Sequence, residues 1–551
     1  MMSTISLVHL VIYELVLLSV YVSSLDKGYF WQITDIHFDP EYSVDGSPGN
    51  LCHKNRFNPF RKHDADSPGM FGDPRCDTPW ALVQSAIAAM KTIKANPDFV
   101  LWTGDTGPHS DASQKELNSL IKETTDLLNK TFNGSYIIPV LGNHDVLPSN
   151  QMPAKNSKYY QGTLTDWGWE NLLPADAQKT FVTGGYYSQM ITPEFTLVVL
   201  NTNLNFMYDK LTENMIDPAG MFDWLRALLE KQRSDNRKVM IISHVPPGAY
   251  EREANSFHLY PRYNREYLDV IEAYSAVIGS QIFAHEHKDT FRLFLDKKGK
   301  PINVGLLAPS VNPWKNTFIA PDPPNNPGVR LVTYDRDTGN ILDIEQYYVD
   351  LKAANKARKA EWKQEYQFTK AMGVPDLKPA SIQTLLKNFT TSGSKLFDTF
   401  YSWNDVSYSG GSCNATCKKV YLCTVQHLDI ASYNACVAAN ASTPHHPSHY
   451  VEIVTRQPRT ASPIYTTLSK ILPTTLPDEV VSGNNSHRRP HHHPTHRPPH
   501  HDPIPKYIKY IMFGMGVVVF VLFIVIMVLC CQRRRLYPQT RYMRVPSVTI
   551  Q

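Results

Sequence analysis

Phe99-Val100-Leu101-Trp102-Thr103-Gly104-Asp105 is an apolar run too short for a helix, and it stops on a glycine and then a carboxylate. A run of that length and composition reads as a strand covered on both faces, with a charged group at its carboxyl end. The same pattern recurs along the chain. Tyr29 to Thr34 runs into Asp35 and His37; Tyr136 to Leu141 runs into Gly142-Asn143-His144-Asp145. Val239 to Ser243 is followed by His244, and Gln281 to Ala284 by His285 and His287. Thr196 to Leu200 is a sixth candidate strand. Helical stretches lie between these runs, so residues 25–350 read as one α/β domain with internal strands. Open α/β sheets place their sites beyond the carboxyl ends of the strands, and here those ends carry carboxylates, imidazoles and one amide.

Any one of these residues is more often structural than ligating, but together they form a metal-binding set. In extended chain, side chains two apart point the same way, which would pair Asp35 with His37 and His285 with His287. Carboxylate oxygen mixed with imidazole nitrogen suits zinc, manganese or iron, and the lack of thiolate argues against a purely structural zinc site. Asp35, His37, Asp105, Asn143, His244, His285 and His287 are too many ligands for one tetrahedral ion and suit two. In such sites the ions sit about 3.5 to 4 Å apart and activate water for in-line attack on phosphorus. Asp105 is the candidate bridge. Asp35, His37 and His287 would complete one site, and Asn143, His244 and His285 the other. A neutral Asn143 lowers the negative charge that would repel an anionic phosphate.

The order Asp-x-His, Gly-Asp, Gly-Asn-His-Asp, a lone His and His-x-His resembles the calcineurin-like metallophosphoesterases. Trp102-Thr103-Gly104-Asp105 with Pro108-His109, Leu141-Gly142-Asn143-His144-Asp145, Leu200-Asn201-Thr202-Asn203 and His244-Val245-Pro246 resemble, more narrowly, the acid sphingomyelinase-like phosphodiesterases over about Tyr29 to Val437. The resemblance implies an αββα sandwich of two packed sheets and two divalent ions, zinc above others. It also implies that His144 protonates the leaving oxygen and that His109 contacts or assists the phosphate. A general acid that titrates near neutrality beside the metals makes the same physical sense. Two departures stand out. Ala284 replaces the family's glycine, so that position must keep an ordinary φ. Glu286, between the paired histidines, adds a negative charge that period-two geometry would turn away from the metals. Pro108 stands where purple acid phosphatases carry an iron-binding tyrosine, which argues against a ferric tyrosinate.

Outside this domain, Ile5 to Val22 followed by Ser23 and Ser24 reads as a signal peptide over residues 1–24, although Glu14 and the lack of a basic n-region leave an uncleaved anchor as the alternative. Residues 351–441 read as a helical, disulfide-bearing extension, and 442–505 as a stalk of Pro, Thr, Ser and His. Its histidines from His487 to His501 read as a solvated spacer, with weak metal capture as the alternative. Tyr510 to Cys531, within residues 508–531, is apolar enough to cross roughly 30 Å of hydrocarbon. Arg533, Arg534 and Arg535 then place residues 532–551 in the cytosol and the rest outside, as a type I membrane protein at the cell surface or in endolysosomes. An even number of cysteines in an oxidising compartment favours the pairs Cys52 with Cys76, Cys413 with Cys417 and Cys423 with Cys436, with zinc on the last four as the alternative. Sequons at Asn129, Asn133, Asn388, Asn414, Asn440 and Asn484 fit an exported glycoprotein. Cys530 and Cys531 suit palmitoylation, and Tyr542-Met-Arg-Val545 resembles an endocytic adaptor signal.

A net charge of +4 from 55 basic and 51 acidic residues gives no dominant field, and much of the excess lies in Arg488 to Arg497 and Arg533 to Arg544. Nucleic acid is therefore not indicated as an obligate partner. Three functions compete: hydrolysis of soluble nucleotide-like or phosphocholine-containing phosphoesters, hydrolysis of sphingomyelin, and a catalytically inactive binding ectodomain. The few residues between the signal peptide and the first strand hold no lipid-presenting saposin module, which favours the first over the second. An intact ligand set disfavours the third. Tyr260 and Tyr263 are candidates to stack on a base.

Overall fold

The computed structural model describes residues 26–54, 67–155, 157–315, 323–409 and 412–439. The segments expected to be a signal peptide, a stalk, a membrane span (508–531) and a cytosolic tail with Tyr542 lie outside them, as do the sequons at Asn440 and Asn484. No helix among the described residues is long and apolar enough to cross a membrane.

In chain order the strands are β1 (Lys27–Ile33), β2 (Tyr42–Ser47), β3 (Phe99–Trp102), β4 (Tyr136–Pro139), β5 (Tyr187–Met190), β6 (Phe195–Val199) and β7 (Lys238–Ile242). They continue as β8 (Ile278–Phe283), β9 (Thr290–Leu295), β10 (Pro301–Leu307), β11 (Gly328–Asp335), β12 (Ile341–Val349) and β13 (Trp362–Gln367). One six-stranded sheet has the order β13-β12-β11-β1-β3-β4, the other β5-β6-β7-β8-β10-β9. The strands that carry the candidate ligands are parallel to their ligand-bearing neighbours: β1 to β3, β3 to β4, and β7 to β8. All their carboxyl ends therefore lie on one edge, as parallel pairing requires.

The two sheets share one hydrophobic core to which Phe30, Val100, Leu197, Ile241 and Ile282 all contribute. Buried polar contacts cross between them: the Gln32 amide donates to the Phe283 carbonyl at 2.9 Å, and the Tyr187 hydroxyl to Pro139 O at 2.8 Å. β3 is buried at every residue, which is why its sequence shows no alternation. Helices pack on the sheets, Trp80–Ile93 against β11 and Met221–Ser234 against β7. Helix Gln114–Thr131 shows how the sequence sets such an element. Ser113 and Glu116 form a reciprocal capping box at its start, and Leu117, Leu120, Ile121, Thr124 and Leu128 line up at three- and four-residue spacing as its buried face.

The segment expected to be a helical extension holds six helices from Leu351–Ala357 to Ile430–Ala438, but it also contributes β13, which pairs antiparallel with β12 and forms the edge of the first sheet. Its pattern, Trp362-Lys-Gln-Glu-Tyr-Gln367, is that of an edge strand: Lys363, Gln364 and Gln367 are exposed, and Tyr366 alone is buried. All three expected disulfides are present, Cys52–Cys76, Cys413–Cys417 and Cys423–Cys436. The sequon asparagines Asn129, Asn133, Asn388 and Asn414 are exposed.

Candidate metal centre and active site

Every candidate ligand lies just past a strand, in a loop rather than in the strand itself. The basis expected for the Asp35/His37 and His285/His287 pairs, period-two extended chain, is not what the loops use. Asp35 (φ 47°), His37 (44°), Asp105 (53°), His285 (74°) and His287 (60°) all take positive φ, a conformation that costs of order 1–3 kcal/mol for non-glycine residues and marks functional loops. Ala284 keeps negative φ, as expected. Gly104 and Gly142 make the close approach of the loops feasible. A Cβ on Gly104 would lie 2.6 Å from the Gly142 nitrogen, and one on Gly142 would lie 2.1 Å from Asp105 Oδ1.

The loops bring all seven residues together around Asp105. Asp105 Oδ2 lies 3.6 Å from His37 Nε2 and 3.3 Å from His244 Nε2, while Oδ1 accepts the His144 backbone N–H at 2.8 Å. On one side, His37 Nε2 faces His287 Nε2 at 3.1 Å, and Asp35 Oδ1 is 3.6 Å from His287 Nε2. On the other, Asn143 Oδ1 lies 3.0 Å from His244 Nε2 and 2.8 Å from His285 Nδ1. Asp35, His37 and Asp105 form one group whose ligand atoms lie within 4.8 Å of one another, and Asp105, His244 and His285 form a second.

These residues fit a pair of cations. Asp35 Oδ1 is buried without a hydrogen-bond partner, a costly state for a carboxylate oxygen unless a cation meets it. Burial raises the Asp35 carboxyl to about 7. Burial pulls His244 down, yet Asp105 and Asp35 outweigh it and bring it up to about 9. The field that draws a proton to His244 Nε2 would equally draw a metal ion. The ligand atoms are also oriented from behind. His37 Nδ1 is 2.8 Å from Gly107 O and His244 Nδ1 is 2.7 Å from Thr103 O, so each ring donates its Nδ1–H to a carbonyl and turns the Nε2 lone pair inward. Burial keeps His37, His285 and His287 well below the usual imidazole range, in the neutral form a ligand requires.

The centre forms the floor of a cavity of about 630 Å³, lined by Asp105, Asn143, His285 and His287 below and by Phe206, Tyr208, Phe257 and Trp314 around it. His109 and His144 border the same space. The calcineurin-like phosphoesterase family model matches residues 28–289, and the model of the acid sphingomyelin phosphodiesterase C-terminal region matches residues 300–443. An acid sphingomyelinase-like phosphodiesterase 3b of Mus musculus is 36% identical over 424 residues, covering 76% of this chain and 91% of that protein. A cyclic GMP-AMP phosphodiesterase of Homo sapiens is 36% identical over 416 residues, 74% of this chain and 90% of its own. A sphingomyelinase phosphodiesterase C of Dictyostelium discoideum is 32% identical over 437 residues, 77% and 96% of the two chains. The chain belongs to the acid sphingomyelinase-like phosphodiesterases. It is a metallophosphoesterase, and its family implies a dinuclear metal site.

In this phosphodiesterase, His109 is held more firmly than the sequence indicated. Its backbone N–H donates to Asp77 Oδ2 at 2.6 Å, and its Nδ1 lies 2.7 Å from Asp77 Oδ1. Burial opposes charge on both groups, yet each favours the ionised form of the other, so the His109 imidazole sits above its usual range and the Asp77 carboxyl below. The His109 ring is stacked between His37, at 4.0 Å, and Trp314, at 4.2 Å between centroids. His144 has no carboxylate partner. Its Nδ1 is buried without a hydrogen bond, and burial lowers it to about 4.

Three functional contributors escaped the sequence reading. Asp77 and Trp314 lie outside every motif and carried no local signal. Asp145 was visible only as the end of Gly-Asn-His-Asp; it accepts the backbone N–H groups of Gly142, Asp105, Thr106 and Gly107 at 2.7 to 3.2 Å and so binds the β3 and β4 loops together. Glu286 does turn from the centre, accepting from His258 Nε2 at 2.7 Å and pairing with Arg292. The base-stacking candidates are placed elsewhere. Tyr263 is buried, with its hydroxyl 2.7 Å from both Thr212 O and Met215 O, and Tyr260 reaches Asp209 O; neither lines the cavity.

Proposed function

We propose that this phosphodiesterase hydrolyses small nucleotide-like or phosphocholine-containing phosphoesters and phosphoanhydrides at a di-zinc centre on an αββα scaffold, outside the cytosol. The observation that carries the reading is Asp105, whose Oδ2 stands between the two ligand groups. Asp35, His37, Asp105 and His287 would hold one ion, and Asp105, Asn143, His244 and His285 the other. Two such ions supply Lewis-acid polarisation of the phosphoryl oxygens and a lowered pKa for the attacking water.

The chain's own side chains do the rest. His109, whose imidazolium form Asp77 favours, would offer an N–H to a phosphoryl oxygen, where charge accumulates in the transition state. His144 gives its proton to the leaving oxygen. A bound phosphate dianion or monoanion beside His144 would raise its low proton affinity, because an opposite charge within about 4–6 Å favours the protonated ring. Sphingomyelin is the second reading, supported by the name of the Dictyostelium relative.

The catalytic domain, 25–350, and the extension, 351–441, are proposed to be anchored as a type I membrane protein by residues 508–531, with Tyr542 as an adaptor signal in the tail. Three disulfides among the described residues support an oxidising compartment. The test is purified protein offered a dinucleotide, a pyrophosphate-linked choline compound and sphingomyelin, with zinc or with chelator. Zinc-dependent turnover of the first two is expected. Hydrolysis that persists in the fully chelated protein, or none on any substrate, rejects the reading.

A further inference from the structure

The segment Pro247–His258 joins the loop of His244 to helix Pro261–Ala273 and forms one wall of the cavity, contributing Tyr250, Glu253, Ser256, Phe257 and His258. It doubles back on itself: Tyr250 N donates to Ser256 O at 2.8 Å and His258 N to Gly248 O at 3.1 Å. Much of what fixes this wall comes from behind, from the C-terminal extension. Asn264 accepts from Gly248 N at 2.9 Å and donates to Leu428 O at 2.9 Å, and Leu428 packs so closely that a Cβ on Gly248 would meet it at 3.1 Å. Arg252 Nε donates to Asn404 Oδ1 at 2.6 Å, and the Asn404 amide donates to Glu251 Oε1 at 2.8 Å. Ala249 is buried in a separate apolar cluster with Cys423 and Tyr433, against which Phe257 and Cys436 pack. The Tyr433 ring meets Phe257 edge to face at 5.3 Å.

We infer that this wall selects the leaving group, and that helices Ala415–Gln426 and Ile430–Ala438, stapled by Cys423–Cys436, are the positioning device that sets it. The inference rests on the phosphodiesterase reading and deepens it. Ions and phosphate contacts come from the strand-end loops, whereas the group beyond the phosphate meets Phe257 and Glu253. An aromatic ring and an exposed carboxylate on one cavity wall suit a flat ring that bears N–H donors, as nucleobases do. The wall is tied to the floor through His258 with Glu286 and through Arg292, whereas Tyr433 and the Cys423–Cys436 bridge meet the wall at Ala249 and Phe257, so variants there act on the wall from the side of the extension.

The experiment uses the full-length protein and two substrates, a dinucleotide and the small diester bis(p-nitrophenyl) phosphate, with metal content measured on each variant. Tyr433→Ala and the double variant Cys423→Ser/Cys436→Ser should lower kcat/KM for the dinucleotide by about tenfold, chiefly through KM, since remote contacts supply substrate binding. Bound metal and turnover of the small diester should stay within about twofold of wild type, because neither substitution touches the ions. Cys413→Ser/Cys417→Ser, which removes the bridge at the start of helix Ala415–Gln426 but leaves Cys423–Cys436 and Tyr433 in place, should shift the ratio of the two substrates by less than about twofold. Should the disulfide variants fail to fold, Phe257→Ala keeps both bridges and should raise the dinucleotide KM to a similar degree. Equal losses on both substrates, or no loss on either, overturn the inference. Wild-type protein inactive on both would instead remove the phosphodiesterase reading itself.

Discussion

Asp105 is the residue where most of the proposed chemistry meets. Its Oδ2 faces His37 and His244, and its Oδ1 fixes the backbone of His144. Asp105→Asn is isosteric but removes the charge both ions would share. Mass-spectrometric metal analysis should show loss of bound metal, and turnover should fall by at least about a hundredfold. His144 is not among the proposed ligands, so His144→Ala should keep its metal and its fold while turnover drops by at least about a hundredfold. Either variant with wild-type turnover would refute the role assigned to its residue. Asp77 acts through another residue: Asp77→Asn keeps an acceptor for one His109 bond but removes the charge that favours the imidazolium. Turnover about 10- to 100-fold lower with full metal content is expected, by analogy with the effect of losing the carboxylate behind a metal-ligating histidine. Unchanged turnover would mean that His109 does not work as a cation.

At the scale of the element, the recurring unit is a buried strand followed by a loop in which non-glycine residues take positive φ. Such loops need bracing, and those after β3 and β8 show it. Asp145 braces the β3 and β4 loops, whereas the His285-Glu286-His287 loop is braced through Glu286 and Arg292. Arg292 is fully buried and pairs with both Glu286 and Glu251. Burial, then the neighbouring Glu286, raises Glu251 to about 8, which makes Glu251 a weak counter-charge for the guanidinium at neutral pH. Glu286→Gln should therefore leave a buried cation poorly paired. Breaking a buried pair costs about 3–5 kcal/mol, and ionisation of Glu251 in compensation would hold the loss near 3. Denaturant unfolding measures it; a loss below about 1 kcal/mol would show that Glu251 alone suffices.

For the molecule as a whole, the metal centre joins the two sheets, with Asp35, Asp105 and Asn143 from the first and His244, His285 and His287 from the second. Ions that bind there bind only the folded chain. Chelation should thus lower the melting temperature, by the equivalent of about 2.7 kcal/mol for each ion present at a hundred times its dissociation constant. Calorimetry with and without chelator, followed by zinc readdition, checks this. A melting temperature that ignores both would mean that the ligand groups bind no ion.

Strands β1, β3, β4, β6, β7 and β8 were legible in the amino-acid order to within a few residues, as were the residues that follow them and the three disulfides. They were legible because a buried parallel strand ending in a charged group is a local pattern, contained in a window of a few residues. That Asp77 holds His109, that Trp314 stacks upon it, and that Asn404 and Tyr433 support the cavity wall emerged with the folded chain alone. Those partners are separated by as many as 205 residues in the case of Trp314, from the positions 314 and 109. Folding also placed β13 in the catalytic sheet and removed Tyr260 and Tyr263 from the cavity. Contacts of that kind depend on which surfaces the fold presses together, and a side chain's own neighbours in sequence carry no record of them.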